Sequence, residues 1–134
     1  MITEVGITYL EMTNSSELIP KHSFVENLKI VRAEIPLPEL NRFLYTAVGG
    51  DWYWIDRFEW TYQEWSDWVD RPELQTWIAY INGTPVGYFE LETQGTEIEI
   101  SKFGLISHFI GRGLGSHLLT ETVKLCLLYT SPSP

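Results

Sequence analysis

Apolar and polar positions change period several times along the chain, and each change marks an element. Leu28-Lys-Ile-Val-Arg-Ala-Glu-Ile35 is rich in β-branched residues and bounded by Pro36, which predicts a strand. Leu37, Leu40, Phe43, Leu44 and Ala47 then recur at helical spacing. Pro38 suits a first turn there, and Gly49-Gly50 supplies the stop. Thr61-Tyr-Gln-Glu64 is a capping-box pattern, opening a short helix that carries Trp65, Trp68 and Val69 and ends before Pro72. Thr76 to Ile81 and Thr84 to Leu91 flank Asn82-Gly83, which predicts a tight hairpin because both central residues need positive φ. A second turn at Thr93-Gln-Gly95 leads into Thr96 to Phe103, where Ile98 and Ile100 alternate with Glu97, Glu99 and Ser101. From Gly113 onward, Leu114, Leu118, Leu119, Val123 and Leu127 mark the apolar face of a last helix. Upstream, Ile2 to Leu10 alternate weakly, as a strand or an irregular arm, and Asn14 to Glu26 is polar and loop-like.

The order is strand, helix, helix, three antiparallel strands and a glycine-led helix. It predicts an α+β or mixed α/β fold, with a hairpin-connected sheet covered by helices. A length of 134 residues suits one domain. With 44% hydrophobic and 20% charged residues, the chain reads as globular rather than disordered. No apolar run is long enough for a bilayer span, so no membrane association is expected. MITEVGITYLEM lacks a basic segment followed by an apolar one, so no secretory signal is read there. Cys126 is the only cysteine, which rules out an intrachain disulfide and fits a reducing, cytoplasmic compartment. A net charge of −9 argues against nucleic-acid binding. It suits a cationic substrate, and equally serves solubility alone.

The stretch Phe109-Ile-Gly-Arg-Gly-Leu-Gly-Ser-His-Leu-Leu119 alternates three glycines with larger residues just before the helix. A helix start carries unpaired N–H groups and a partial positive charge. Glycines there let phosphate oxygens approach the backbone, and Arg112 adds a fixed charge nearby. The alternative is a glycine loop that serves only close strand–helix packing. A P-loop would need Gly-Lys-Ser/Thr, which is missing, and a dinucleotide fingerprint would need glycine at position 116, where Ser116 stands.

The sequence resembles the GNAT superfamily of acetyl-CoA-dependent N-acetyltransferases. Their pyrophosphate motif reads Q/R-x-x-G-x-G/A after a strand and at the opening of a helix. Gly113-Leu-Gly115 fits its last three positions, while Ile110 departs from the Gln/Arg position. The similarity covers roughly Leu28 to Lys124. It implies a mostly antiparallel sheet flanked by helices, acetyl-CoA as cosubstrate without a metal, and a small-molecule or peptide amine as acceptor. It implies that Phe103 to Ile106 end a bulged strand beside the thioester arm. Leu105, with Ile106 and Ser107, would meet the pantetheine through the main chain, and Gly104 fits a bulge or a close backbone approach. Amides from Gly111 through Arg112, Gly113, Leu114 and Gly115 to Ser116 would hold the pyrophosphate. Some family members place a glutamate base four residues before the position matched by Phe103, which is Glu99; Glu97 shares its face. The alternative is that both glutamates face solvent.

Asp51-Trp-Tyr-Trp-Ile-Asp56 and Trp60 form an aromatic, acidic cluster in a region the family commonly uses as an acceptor wall. Trp52 and Trp54 either enclose an amine, with Asp51 or Asp56 attracting its positive charge, or fill the core. Trp65, Trp68 and Trp77 read as core. His108 and His117 lack a third ligand at diagnostic spacing, so no metal site is expected. The ending LCLLYTSPSP carries no charge and finishes in Ser-Pro-Ser-Pro. It reads as a foreign or disordered tail over 125–134, following an incomplete domain over 1–124. The strand, helix and acid tyrosine that the family places later would then be missing, and the second functional reading is a noncatalytic acyl-CoA-binding or interaction module.

Overall fold

The computed structural model describes residues 27–49, 54–111 and 113–130. The expectations for Ile2 to Leu10, Asn14 to Glu26, Asp51, Trp52, Arg112 and the last four positions fall outside these residues. The elements are β1 (Leu28–Ala33), α1 (Pro38–Gly49), α2 (Tyr62–Val69), β2 (Leu74–Ile81), β3 (Thr84–Gln94), β4 (Glu97–Leu105), a short 3-10 turn (Ser107–Phe109) and α3 (Leu114–Thr130). The strands form one sheet in the order β1-β2-β3-β4, antiparallel throughout. The predicted element order and α+β class therefore hold.

Local chemistry sets the boundaries. The Glu64 amide donates to Thr61 Oγ1 at 3.2 Å, and Glu64 Oε1 accepts from the Thr61 amide at 2.8 Å, a complete capping box. Asn82 and Gly83 both take positive φ, +51° and +80°, as the two-residue hairpin requires. At the second turn Gln94 pairs with Glu97, so Thr96 lies in the turn and β4 starts one residue later than the alternation predicts.

Alternation along the strands divides the core between two faces. Under α3 lie Phe89, Leu91, Ile100, Phe103, Leu105, Leu114 and Leu118. Under α1 and α2 lie Leu44, Tyr45, Val48, Trp54, Trp65, Ile78 and Tyr88. Two register shifts modify the pattern. Val86 is an extra residue in β3 opposite the Ala79/Tyr80 step. Ser101 is an extra residue in β4, since Leu91 pairs with Ile100 and Glu90 with Lys102. The second shift puts Ile100 and Phe103 on the same face.

Both predicted apolar stripes need correction. On α1 the inward residues are Asn41, Leu44, Tyr45 and Val48, whereas Phe43 is 56% exposed. Asn41 replaces it because a buried carboxylate, described below, needs a donor. On α3 Thr122 is fully buried, while Val123 and Leu127 are exposed. The Thr122 hydroxyl donates to the Leu118 carbonyl at 2.7 Å, which satisfies it and leaves its methyl group free to pack. The helix itself continues to Thr130, through the first part of the segment read as a tail.

Candidate active site

The C-terminal end of β4 is built by one hydrogen bond. The Ile106 amide donates to the Val86 carbonyl at 2.8 Å. In an antiparallel ladder the orientation of main-chain groups alternates. Leu105, opposite Gly87, therefore turns its N–H and C=O away from β3, toward the side of β4 where the described residues place no strand. Its side chain is buried under α3. Ile106 commits its N–H to the sheet and its carbonyl accepts from the Phe109 amide at 2.8 Å. Ser107 accepts from the Ile110 amide at 3.1 Å. Leu105 thus presents its main-chain N–H outward, whereas that of Ile106 is engaged within the sheet.

The loop then reverses through Gly111 and Gly113, with φ of +86° and +80°. A Cβ on Gly111 would meet nothing within 4 Å. The positive φ favours glycine there. The Leu114 side chain is fully buried and anchors the start of α3 on the sheet. Gly115 is buried and Ser116 half-buried beside it. The first-turn amides of α3 have no acceptor within the helix and carry its positive end. Leu105 and the predicted phosphate loop thus adjoin.

Glu99 is half-buried and lies opposite Glu92. Arg71 Nη1 meets Glu92 Oε2 at 2.9 Å. Glu99 and Leu105 are six positions apart, roughly 20 Å of strand at most, with the Ser101 bulge between them. Register places Glu99 and Glu97 on the α1/α2 face.

That face also holds a polar network absent from the sequence reading. Glu90 is fully buried. Its carboxylate accepts from Arg57 Nη1 at 2.8 Å, Trp68 Nε1 at 3.0 Å and Asn41 Nδ2 at 2.9 Å. The guanidinium of Arg57 also packs against the rings of Trp60 and Trp68, at 4.9 and 4.5 Å from their centroids. Burial disfavours the Arg57 cation, but the charge of Glu90 above all more than offsets this and holds it firmly protonated. Beside it, Lys102 Nζ donates to both Asp56 oxygens at 3.1 and 3.0 Å, and the Tyr45 hydroxyl donates to Asp56 Oδ1 at 3.0 Å. Partial burial pushes the Asp56 carboxyl up, but Lys102, Tyr45 and Arg57 together bring it below the usual range. Burial pushes the Tyr45 phenol up to about 12. One signal was available in the sequence: Glu90 and Lys102 interrupt otherwise apolar strand runs, where a charge needs a partner.

Trp54 is 9% exposed and packs against Tyr45 and Tyr88. Lys102 Nζ sits 5.0 Å from its ring centroid. The packing alternative therefore describes most of the Trp54 surface. Trp65 is buried, Trp77 is half-buried and stacks on Phe89, and Trp68, expected in the core, is half-buried outside both clusters and donates to Glu90. Among the described residues no group of His, Cys, Asp and Glu could hold a metal, and no helix is long and apolar enough to cross a membrane.

A family profile described as the Acetyltransferase (GNAT) family matches residues 39–128. The chain belongs to that family. No curated protein matches it in sequence. Among solved structures, this GNAT chain is similar to the PaiA N-acetyltransferase of Thermoplasma acidophilum, solved in complex with coenzyme A. The two are 16% identical with a TM-score of 0.53, over 73% of this chain and 72% of that one. An aminoglycoside acetyltransferase from an uncultured soil metagenomic sample, in complex with sisomicin, gives 16% identity and a TM-score of 0.57 over 80% and 72%. The IAA acetyltransferase of Bacillus cereus gives 23% and 0.50 over 75% and 60%. At such identities the structural likeness establishes the GNAT fold. The elements from β1 to α3 match the order that the resemblance implied.

Proposed function

We propose that the chain is an N-acetyltransferase taking acetyl-CoA as donor and a primary amine as acceptor. The observation that carries this reading is the outward main chain of Leu105 beside the glycine-led start of α3. A strand edge can hold an extended amide-bearing arm, and helix-start amides can hold a pyrophosphate. The residues present thus fit coenzyme A. Gly111, Gly113, Leu114, Gly115 and Ser116 contribute the described part of the phosphate cradle, with Arg112 adding charge. In the reaction, a neutral amine nitrogen bonds to the acetyl carbon and the carbon–sulfur bond breaks. The nitrogen sheds a proton and the thiolate gains one. Glu99 is assigned the first proton, relayed through water along the strand, and the Leu105 N–H polarises the carbonyl.

On the acceptor side the reading places Asp51, Trp52, Trp54 and Asp56 at one wall. The Asp56 side chain is 59% exposed and held ionised, which suits the attraction of an ammonium group before it loses its proton. Trp54 backs this wall rather than presenting an open ring. The sisomicin complex of the metagenomic relative supports an amine acceptor.

The test measures free CoA from acetyl-CoA with a panel of amines. Amine-dependent release is expected, and Glu99→Gln should lower turnover at least tenfold while leaving CoA affinity within twofold. Saturable CoA binding without release for any amine would favour the noncatalytic acyl-CoA-binding module. Absence of CoA binding would remove the loop assignment.

A further inference from the structure

We infer that Lys102 is a positioning residue for acetyl transfer: by balancing the charge of Asp56 at the acceptor wall, it lets an amine bound there give up its proton. This role rests on the acetyl-transfer reading of the site.

Lys102 stands on β4 three positions after Glu99 and three before Leu105, so at most roughly 10 Å of strand separates it from either. The Ser101 bulge places it opposite Glu90, on the α1/α2 face that also carries Glu99. Its side chain is 3% exposed, and its Nζ donates to both Asp56 oxygens at 3.1 and 3.0 Å. The ammonium also lies 5.0 Å from the Trp54 ring centroid and 5.7 Å from that of Tyr45. A cation thus reaches Asp56 from the interior, while the other side of this carboxylate is open. There Asp56 lines a cavity of about 550 Å³ with Ile55, Phe58, Glu59, Trp60 and Glu64. Three of these six residues are carboxylates and none is a cation.

The other ionisable groups around the pair are accounted for. Tyr45, from α1, donates to Asp56 Oδ1 and stays neutral, its phenol pushed up to about 12 by burial. From β3, Glu90 takes the Arg57 guanidinium at 2.8 Å, whereas Arg57 Nε stands 4.0 Å from Asp56 Oδ2. The fully buried Tyr88 phenol on the same strand also stays neutral, because burial raises it well above its ordinary value. From α2, Glu64 accepts from the Thr61 amide. With Arg57 matched to Glu90, Lys102 is the charge that matches Asp56.

An amine must lose its proton before its nitrogen can attack. A bare carboxylate beside it would bind the ammonium and raise its pKa, which opposes that loss, and an adjacent cation acts the other way. Asp56 paired with Lys102 still draws an ammonium to the open side, but holds the proton on it less firmly.

n-Butylamine and benzylamine serve as acceptors, and kcat at saturating amine and acetyl-CoA is followed from pH 6 to 10. Lys102→Met should shift the acid limb of kcat upward by about half a pH unit or more. It should also tighten benzylamine binding at pH 7 at least twofold, read from amide shifts over residues 55–60 with CoA present. Lys102→Arg, which keeps the charge, should return both to wild-type values. Asp56→Asn should displace both in the opposite direction, and it decides the sign even if Lys102→Met does not fold. A uniform loss of kcat across pH in Lys102→Met, or displacement of the limb in the same direction by Asp56→Asn, would overturn the role and leave acetyl transfer standing. Absence of CoA release by the wild type with either amine, together with absence of benzylamine shifts, would remove both.

Discussion

Arg57 and Glu90 meet at 2.8 Å with 5% and 0% of their side chains exposed. Trp68 and Asn41 complete the carboxylate's partners. Removing one member of such a pair strands the other in the interior. Arg57→Ala and Glu90→Ala are each expected to lower unfolding free energy by about 3–5 kcal/mol. The double variant should fall well short of the sum. Urea denaturation of all four proteins measures the coupling, and additive losses would show that the pair acts as two unrelated packing residues.

Asp56 gives the fold an acid-sensitive component. Its folded-state carboxyl lies below the ordinary value, held there by Lys102, Tyr45 and Arg57 against the opposing effect of burial. The resulting stabilisation is present above the unfolded value of about 3.9 and is lost as pH falls through the lower folded one. Asp56→Asn should therefore melt below the wild type at pH 7. The gap should close as pH drops below about 4. Melting curves between pH 2.5 and 7 check this, and a gap independent of pH would assign the loss to shape instead of charge.

Gly104 gives the Val48 side chain of α1 room against the sheet. A Cβ there would sit 2.5 Å from Val48 Cγ1. Gly104→Ala is expected to destabilise by about 1–3 kcal/mol through overpacking. Val48→Ala in the same molecule should recover part of that loss despite being destabilising alone. Thermal denaturation of the cycle reads the sign of the coupling.

The proposed phosphate loop rests on backbone conformation. Valine at position 113 would have to adopt a φ near +80°, a strain of about 1–3 kcal/mol for a branched side chain. Gly113→Val should weaken CoA at least tenfold by calorimetry. Gly111→Asn should be milder, because asparagine tolerates this region and the surrounding space is open. Equal effects of the two changes would argue that bulk rather than conformation matters.

The element order was legible because the controlling signals are local. The capping box, the Asn-Gly turn and the glycine-led helix each lie within a few residues. The glycine-led turn into α3 belongs to this class, which is why its position could be read directly. Side-chain facing was less legible where a distant partner decides it. Phe43 points outward and Asn41 inward because Glu90, 49 residues away, needs a donor. The Lys102–Asp56 contact spans 46 residues and has no local signature. Nor does the alternation of Ile98 and Ile100 announce the extra residue that follows them.

Ser101 divides β4 into two stretches with opposite phase. Upstream, even-numbered residues face α3; downstream, odd-numbered ones do. A single insertion thus lets one ribbon carry carboxylates toward one end of the fold and a lysine and a glycine toward the other, with each half free to drift in sequence without rotating its counterpart. Flattening the bulge with the serine kept in the ladder would rotate everything after it by half a turn, driving the Lys102 ammonium into the oily layer beneath α3 and Phe103 out of it, whereas deleting the serine would leave both faces as they are.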